Sequence, residues 1–153
     1  LLRGEEVQMT NTYLQGGGTG TRGPIPSGFG TGLYVGPSWN SELIVSNTRI
    51  FGNSGPGIQL SGGTQTVISN NVITQNSIAA IGQSSGIAVD AGVQGFIISN
   101  NHIGGLGSGK AGTKCGIEIA QGASDNYVII GNVLLGNQVG TVCDNGVGKN
   151  KSV

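Results

Sequence analysis

Three short apolar phrases return in a fixed order along the chain, and the links between them vary in length. The first reads Thr10-Asn11-Thr12-Tyr13-Leu14, Ser46-Asn47-Thr48-Arg49-Ile50, Ser69-Asn70-Asn71-Val72-Ile73 and Ser99-Asn100-Asn101-His102-Ile103, with a shorter copy at Gly131-Asn132-Val133-Leu134. The second is Gly32-Leu33-Tyr34-Val35, Gly57-Ile58-Gln59-Leu60, Gly86-Ile87-Ala88-Val89 and Gly116-Ile117-Glu118-Ile119. The third is Leu43-Ile44-Val45, Thr66-Val67-Ile68, Phe96-Ile97-Ile98 and Val128-Ile129-Ile130. The equivalent positions Thr12, Thr48, Asn71, Asn101 and Asn132 lie 36, 23, 30 and 31 residues apart. Phrases that hold their length while the links do not predict a solenoid, in which strands stack and insertions swell outward as turns. Three phrases per repeat make the coil three-sided. The expectation is an all-β, three-sided parallel β-solenoid of about five coils, rising ~4.8 Å per coil.

Alternation along each strand sets the facing. Leu33, Val35, Ile58, Leu60, Ile87, Val89, Ile117 and Ile119 point inward, as do Leu14, Ile50, Ile73, Ile103 and Leu134. Tyr34, Gln59, Ala88 and Glu118 then form one outward column, with Asp90 outward two residues past Ala88. Tyr13, Arg49, Val72, His102 and Val133 form a second. Thr12, Thr48, Asn71, Asn101 and Asn132 stack at a corner, where amides bond their own kind one coil away and Asn tolerates a left-handed backbone. Helix has almost no place; Ser77 to Ile81 is the one stretch suited to a short helical turn.

Composition narrows the class. Gly makes up 31 of 153 residues, but only 4 are Pro and no Gly-X-Y period exists, which excludes collagen. Charged residues are 9% and the net charge is zero, so nucleic-acid binding has no electrostatic support. No apolar run reaches the ~18 residues of a membrane span. Gly16-Gly17-Gly18-Thr19-Gly20 lacks the strand–helix setting and the Lys of a phosphate loop, so turns account for it. Cys115 and Cys143 form no Cys-x-x-Cys and have no His nearby. No metal or other cofactor is expected, and two buried free thiols are preferred to a disulfide. Leu1-Leu2-Arg3 opens the chain without Met, and neither end carries an obvious cap. The expectation is a single domain over 1–153 cut from a longer polypeptide, with long edge loops at 16–32, 74–86 and 104–116.

The Ser-Asn-Asn-x-Ile and Gly-Ile-x-Val phrases resemble those of the right-handed parallel β-helix (pectin-lyase-like) superfamily, over roughly residues 7–145. Its members include pectin and pectate lyases, polygalacturonases, alginate-modifying enzymes and phage tailspikes. The resemblance implies polysaccharide chemistry in an extracellular or virion-associated setting, and assembly as a homotrimer along the long axis. Family catalytic signatures do not carry over. The Asp-Asp and Gly-His phrases of polygalacturonases are absent, as is the tight acid cluster of calcium-dependent lyases.

Function must then be argued from candidate sites. Glu118 and Asp90 face outward on adjacent coils with backbones roughly 7–8 Å apart, a spacing open to general acid and base work across a glycosidic bond. The competing reading is two solvated acids. Tyr34 and Gln59 continue that column as a sugar-stacking and hydrogen-bonding strip. Trp39, in the turn Gly36-Pro37-Ser38-Trp39-Asn40, either stacks a pyranose or, half-buried, covers the coil end or a neighbouring subunit. Arg49 either pairs with Glu42 or contacts an acidic sugar. His102 is a surface or interface residue. Val72 and Val133, apolar yet outward, suggest a face covered by a loop or another chain. The leading expectation is recognition of cell-surface polysaccharide, with hydrolytic cleavage by Glu118 and Asp90 if the protein is an enzyme. A non-catalytic adhesive or structural stalk and a polysaccharide lyase are the alternatives.

Overall fold

A computed structural model of the chain describes residues 6–16, 30–105, 112–122 and 124–153. Among them are sixteen strands and no helix. All three sheets are parallel, and each takes one strand from every coil. Sheet A comprises β1 (Glu6–Thr10), β4 (Glu42–Ser46), β7 (Thr66–Ser69), β10 (Gln94–Ser99), β13 (Asp125–Ile130) and β16 (Lys151–Ser152). Sheet B comprises β2 (Tyr13–Gln15), β5 (Arg49–Phe51), β8 (Val72–Thr74), β11 (His102–Gly104) and β14 (Val133–Leu135). Sheet C comprises β3 (Leu33–Val35), β6 (Ile58–Leu60), β9 (Ile87–Val89), β12 (Cys115–Gly122) and β15 (Gly140–Gly146). Most of the first edge loop and the middle of the third lie outside the described residues.

Register is as the periodicity requires. Ile58 lies opposite Ile87 and Ile87 opposite Ile117, each fully buried. Ile50, Ile73 and Ile103 form the matching column from sheet B, and Val45, Ile68 and Ile98 that from sheet A, all at 0% exposure. Burying each such side chain is worth about 1.5–3 kcal/mol. The core is therefore one continuous aliphatic stack.

The second phrase begins with Gly for a steric reason. A Cβ at Gly57 would stand 2.5 Å from Ile73 Cγ2 and 2.8 Å from the Gly86 carbonyl oxygen. At Gly86 it would stand 2.2 Å from Ile103 Cγ2 and 2.8 Å from the Gly116 oxygen. The following coil passes too close at this corner for any side chain.

At the Asn corner the chain divides two tasks between neighbours. The left-handed residues are Asn11, Asn47, Asn70 and Asn100, with φ between 49° and 57°, and Gly131 takes their place in the next coil. They lie one residue before the ladder, not on it as expected. The next residue carries the bonds. Asn71 Oδ1 accepts from the Thr48 N–H at 2.9 Å, Asn101 Oδ1 from the Asn71 N–H at 2.9 Å, and Asn132 Oδ1 from the Asn101 N–H at 3.0 Å. Each Nδ2 in turn donates to a carbonyl: Asn71 to Val45, Asn101 to Ile68 and Asn132 to Ile98. Buried polar groups at the corner are thus satisfied coil by coil. A second ladder, not foreseen, follows sheet B: Asn53 Nδ2 donates to Asn76 Oδ1 at 2.8 Å, and Asn76 Nδ2 to the Ile50 carbonyl.

Two local expectations are corrected. Ser77 to Ile81 forms no helical turn. Ser77 has φ 67°, and the N–H groups of Ser77, Ile78 and Ala79 donate to Gly55, Asn53 and Ser54 one coil away. These long-range bonds replace the i→i−4 bonds that a helix needs. Cys115 and Cys143 are not free thiols but form a disulfide joining β12 to β15, with Cα atoms 6.1 Å apart. Their separation of 28 residues is close to one coil, which brings them onto neighbouring strands.

A polar latch accompanies the disulfide. Buried Tyr127, stacked on Phe96 at 4.7 Å, donates its hydroxyl to Asp144 Oδ1 at 2.7 Å. Lys151 Nζ donates to Asp144 Oδ2 at 2.9 Å and to the Gly146 carbonyl at 2.6 Å. Burial raises the Asp144 pKa, but hydrogen bonds from Tyr127, Lys151 and the Gly146 N–H outweigh it and hold the carboxyl below its ordinary range. A carboxyl depressed in the folded state adds stability above its unfolded pKa, about 4, and loses it as the pH falls through the folded value. Hydrogen exchange across 140–152 should therefore quicken below about pH 4, ahead of the coils over 58–104. Uniform acceleration along the chain would contradict the latch.

Candidate functional site

The outer face of sheet C carries the column Tyr34, Gln59, Ala88 and Glu118 in direct register, continued by Cys143. The solenoid builds this column automatically, because successive coils repeat the same strand facing. Tyr34 is 41% exposed. Gln59 Nε2 donates to both carboxylate oxygens of Asp90, at 3.2 and 3.4 Å, and Ser61 Oγ donates to Asp90 Oδ2. Asp90 directly follows β9 and reaches back to the preceding coil. An exposed ring, an amide and a carboxylate are thereby fixed along one edge of the sheet.

Glu118 is held differently. Ser85 Oγ donates to its Oε2 at 2.6 Å, and Lys114 Nζ forms an ion pair with Oε1. Ser85 precedes β9 and Asp90 follows it. The five-residue step between them spans about 16 Å when extended. Glu118 leans toward the Ser85 end and Asp90 toward Ser61 at the opposite end. The structure therefore puts both acids on one face but does not draw their carboxylates toward each other. Each already has its own donors, whereas a glycosidase pair stands about 5–10 Å apart across a bond. Ser61, Ser85 and Lys114 were missed as partners. Register was the available signal, since Ser61 extends the strand opposite Asp90.

The remaining candidates lie elsewhere. Trp39 is half-buried against the core, and its Nε1 donates to the Ser41 carbonyl at 2.9 Å. Of the two readings left open, this is the covering one. Arg49 lies on sheet B, a different side of the prism from Tyr34. No Arg49–Glu42 ion pair forms among the described residues; the guanidinium lies 4.8 Å from the Phe51 ring centroid and 6.0 Å from that of Tyr13. His102 is half-buried between Val72 and Val133, which are 41% and 50% exposed. Among the described residues no three His, Cys, Asp or Glu side chains converge to hold a metal ion.

A family model described as a right handed beta helix region matches residues 1–134. The chain belongs to the right-handed β-helix family. The match ends within β14, so the disulfide-linked strand β15 of this β-helix lies past the matched region. No curated protein and no solved structure matched the chain.

Proposed function

We propose that this β-helix recognises a cell-surface polysaccharide along the outer face of sheet C, in the manner of a tailspike-like adhesin. The observation that carries the reading is the exposed Tyr34 ring in register with Gln59, whose amide N–H is committed to Asp90. A ring face stacks the apolar side of a pyranose, and the amide and carboxylate take its hydroxyls. The zero net charge suits a neutral or weakly charged glycan. Family membership is compatible with both binding and cleavage. Recognition without hydrolysis is the better reading, because Glu118 and Asp90 lean apart and each is already bonded. The Cys115–Cys143 disulfide supports an oxidising, extracellular or virion-surface location.

The test is a panel of capsular and O-antigen polysaccharides, scored for binding and for reducing-end release. Wild type should bind at least one glycan without releasing ends. Tyr34→Ala should weaken binding about two- to tenfold, since an aromatic contact is worth roughly 0.5–1.5 kcal/mol. Glu118→Gln should bind as wild type does. Release that Glu118→Gln abolishes would replace this reading with the hydrolytic one. Failure to bind any glycan would leave the non-catalytic stalk.

A further inference from the structure

We infer that the outer face of sheet A is a self-association surface, on which a second copy of this chain packs face to face with its solenoid axis reversed.

Sheet A differs from the other two sides of the prism. Three of its strands carry unbroken aromatic and aliphatic runs, Leu43-Ile44-Val45, Phe96-Ile97-Ile98 and Val128-Ile129-Ile130. Outward positions hold Tyr34, Gln59 and Glu118 on sheet C, and Arg49 and His102 on sheet B. Parallel strands with such runs are normally covered on both faces. The inward residues fill the core. The outward ones, Ile44, Val67, Ile97 and Val128, stand in direct register on four successive coils. Ile97 is 43% exposed and the other three are half-buried. Polar residues close the column at both ends, Gln8 opposite Ile44 and Ser152 opposite Val128.

The order of this column points to the occupant. Turned end for end it reads the same: polar, four aliphatic side chains, polar. A two-fold axis along the strands sets Ile44 against the partner's Val128, Val67 against the partner's Ile97 and Gln8 against the partner's Ser152. That contact is isologous, and the strands of the two sheets run aligned. The flanking column, Ser46, Ser69 and Ser99 in register, is small enough to let the two faces approach.

Charge fixes the direction. Glu6 lies opposite Glu42 at one end of the face, and both are exposed. Exposed Lys149 stands at the other end, just before β16. Reversing one copy brings each acidic end to the partner's lysine end, twice by symmetry. Copies that point the same way, as in the parallel homotrimer that the family resemblance implies, would collect the acids together. Six strands of about five residues make a footprint of roughly 400 Å² on each copy. This is about half of a standard interface, so the pair is weak and reversible, with a Kd on the order of 10–100 μM.

Sedimentation equilibrium on the full chain provides the test. The mass should rise from one chain at low micromolar concentration toward two at several hundred micromolar. Ile97→Lys, which places a cation at the centre of the face, should remain a monomer throughout. Val72→Lys, on sheet B, should associate as wild type does. Glu6→Lys and Lys149→Glu should each weaken the pair about tenfold, because each change meets its like charge twice. The double variant with both charges exchanged should recover wild-type association. Melting curves at low concentration confirm that each variant is folded. A monomer at every concentration, a mass of three chains, or association that Ile97→Lys leaves intact overturns the inference. Failure of the exchanged double variant to recover overturns the reversed direction.

Discussion

Gly86→Ala is expected to destabilise the protein by about 3 kcal/mol or more. The added Cβ would stand 2.2 Å from Ile103 Cγ2 and 2.8 Å from the Gly116 carbonyl oxygen. Ile103 is fully buried in the core and has no room to move aside, and the carbonyl belongs to the backbone of the next coil. Relief requires two coils to separate, which stretches ladder bonds on both sides of the corner. Gly36→Ala is the control. Its Cβ would meet only Tyr34 Cε1, at 3.7 Å, so the change should stay within about 0.5 kcal/mol. Urea unfolding of the two variants gives both values. Similar midpoints for Gly86→Ala and wild type would show that the coils are not packed as closely as described.

Loss of the Cys115–Cys143 disulfide is expected to produce the second large effect. Closing a loop with ends 28 residues apart removes enough unfolded-state entropy to contribute about 3.5 kcal/mol. In a coil stack each unit touches only its neighbours, so the loss should be felt locally. The Cys115→Ser and Cys143→Ser double variant should fray β15 and β16 first. Hydrogen exchange would show protection lost over 140–152 and kept over 58–104. If the central coils lost protection equally, the solenoid would be unfolding as one unit and the local account would fail.

The fold was legible because its determinants are periodic. Ile58, Ile87 and Ile117 follow a facing rule that needs nothing beyond strand alternation, and the Asn phrase marks one corner of every coil. Features set by contact between coils were not legible. The left-handed turn falls on Asn70 and Asn100 while the bonds fall on Asn71 and Asn101, and two adjacent asparagines give no sign of which does which. The Asn53–Asn76 ladder was hidden because the residues five past Thr12 and Asn101 in the sequence are Gly and Leu rather than Asn, which breaks the pattern. The disulfide was missed by looking for short cysteine motifs when one-coil spacing was the relevant distance.

The candidate site was legible to the same depth. Alternation placed Tyr34, Gln59 and Glu118 in one column, and the register bears this out. Strand facing does not say which way a side chain leans along the strand. Ser85 and Lys114 draw Glu118 one way while Ser61 and Gln59 draw Asp90 the other. Those rotamers separate two acids that backbone spacing alone had set side by side. The same limit applied to Arg49, whose stacking on Phe51 depends on side-chain packing rather than charge.

Methyl-to-methyl NOE spectroscopy on isoleucine-labelled protein tests the stacking most directly. The account predicts strong cross-peaks between Ile58 and Ile87 and between Ile87 and Ile117, on coils ~4.8 Å apart, and a far weaker one between Ile58 and Ile117. Absence of the first two, or a direct Ile58–Ile117 contact of equal strength, would contradict it.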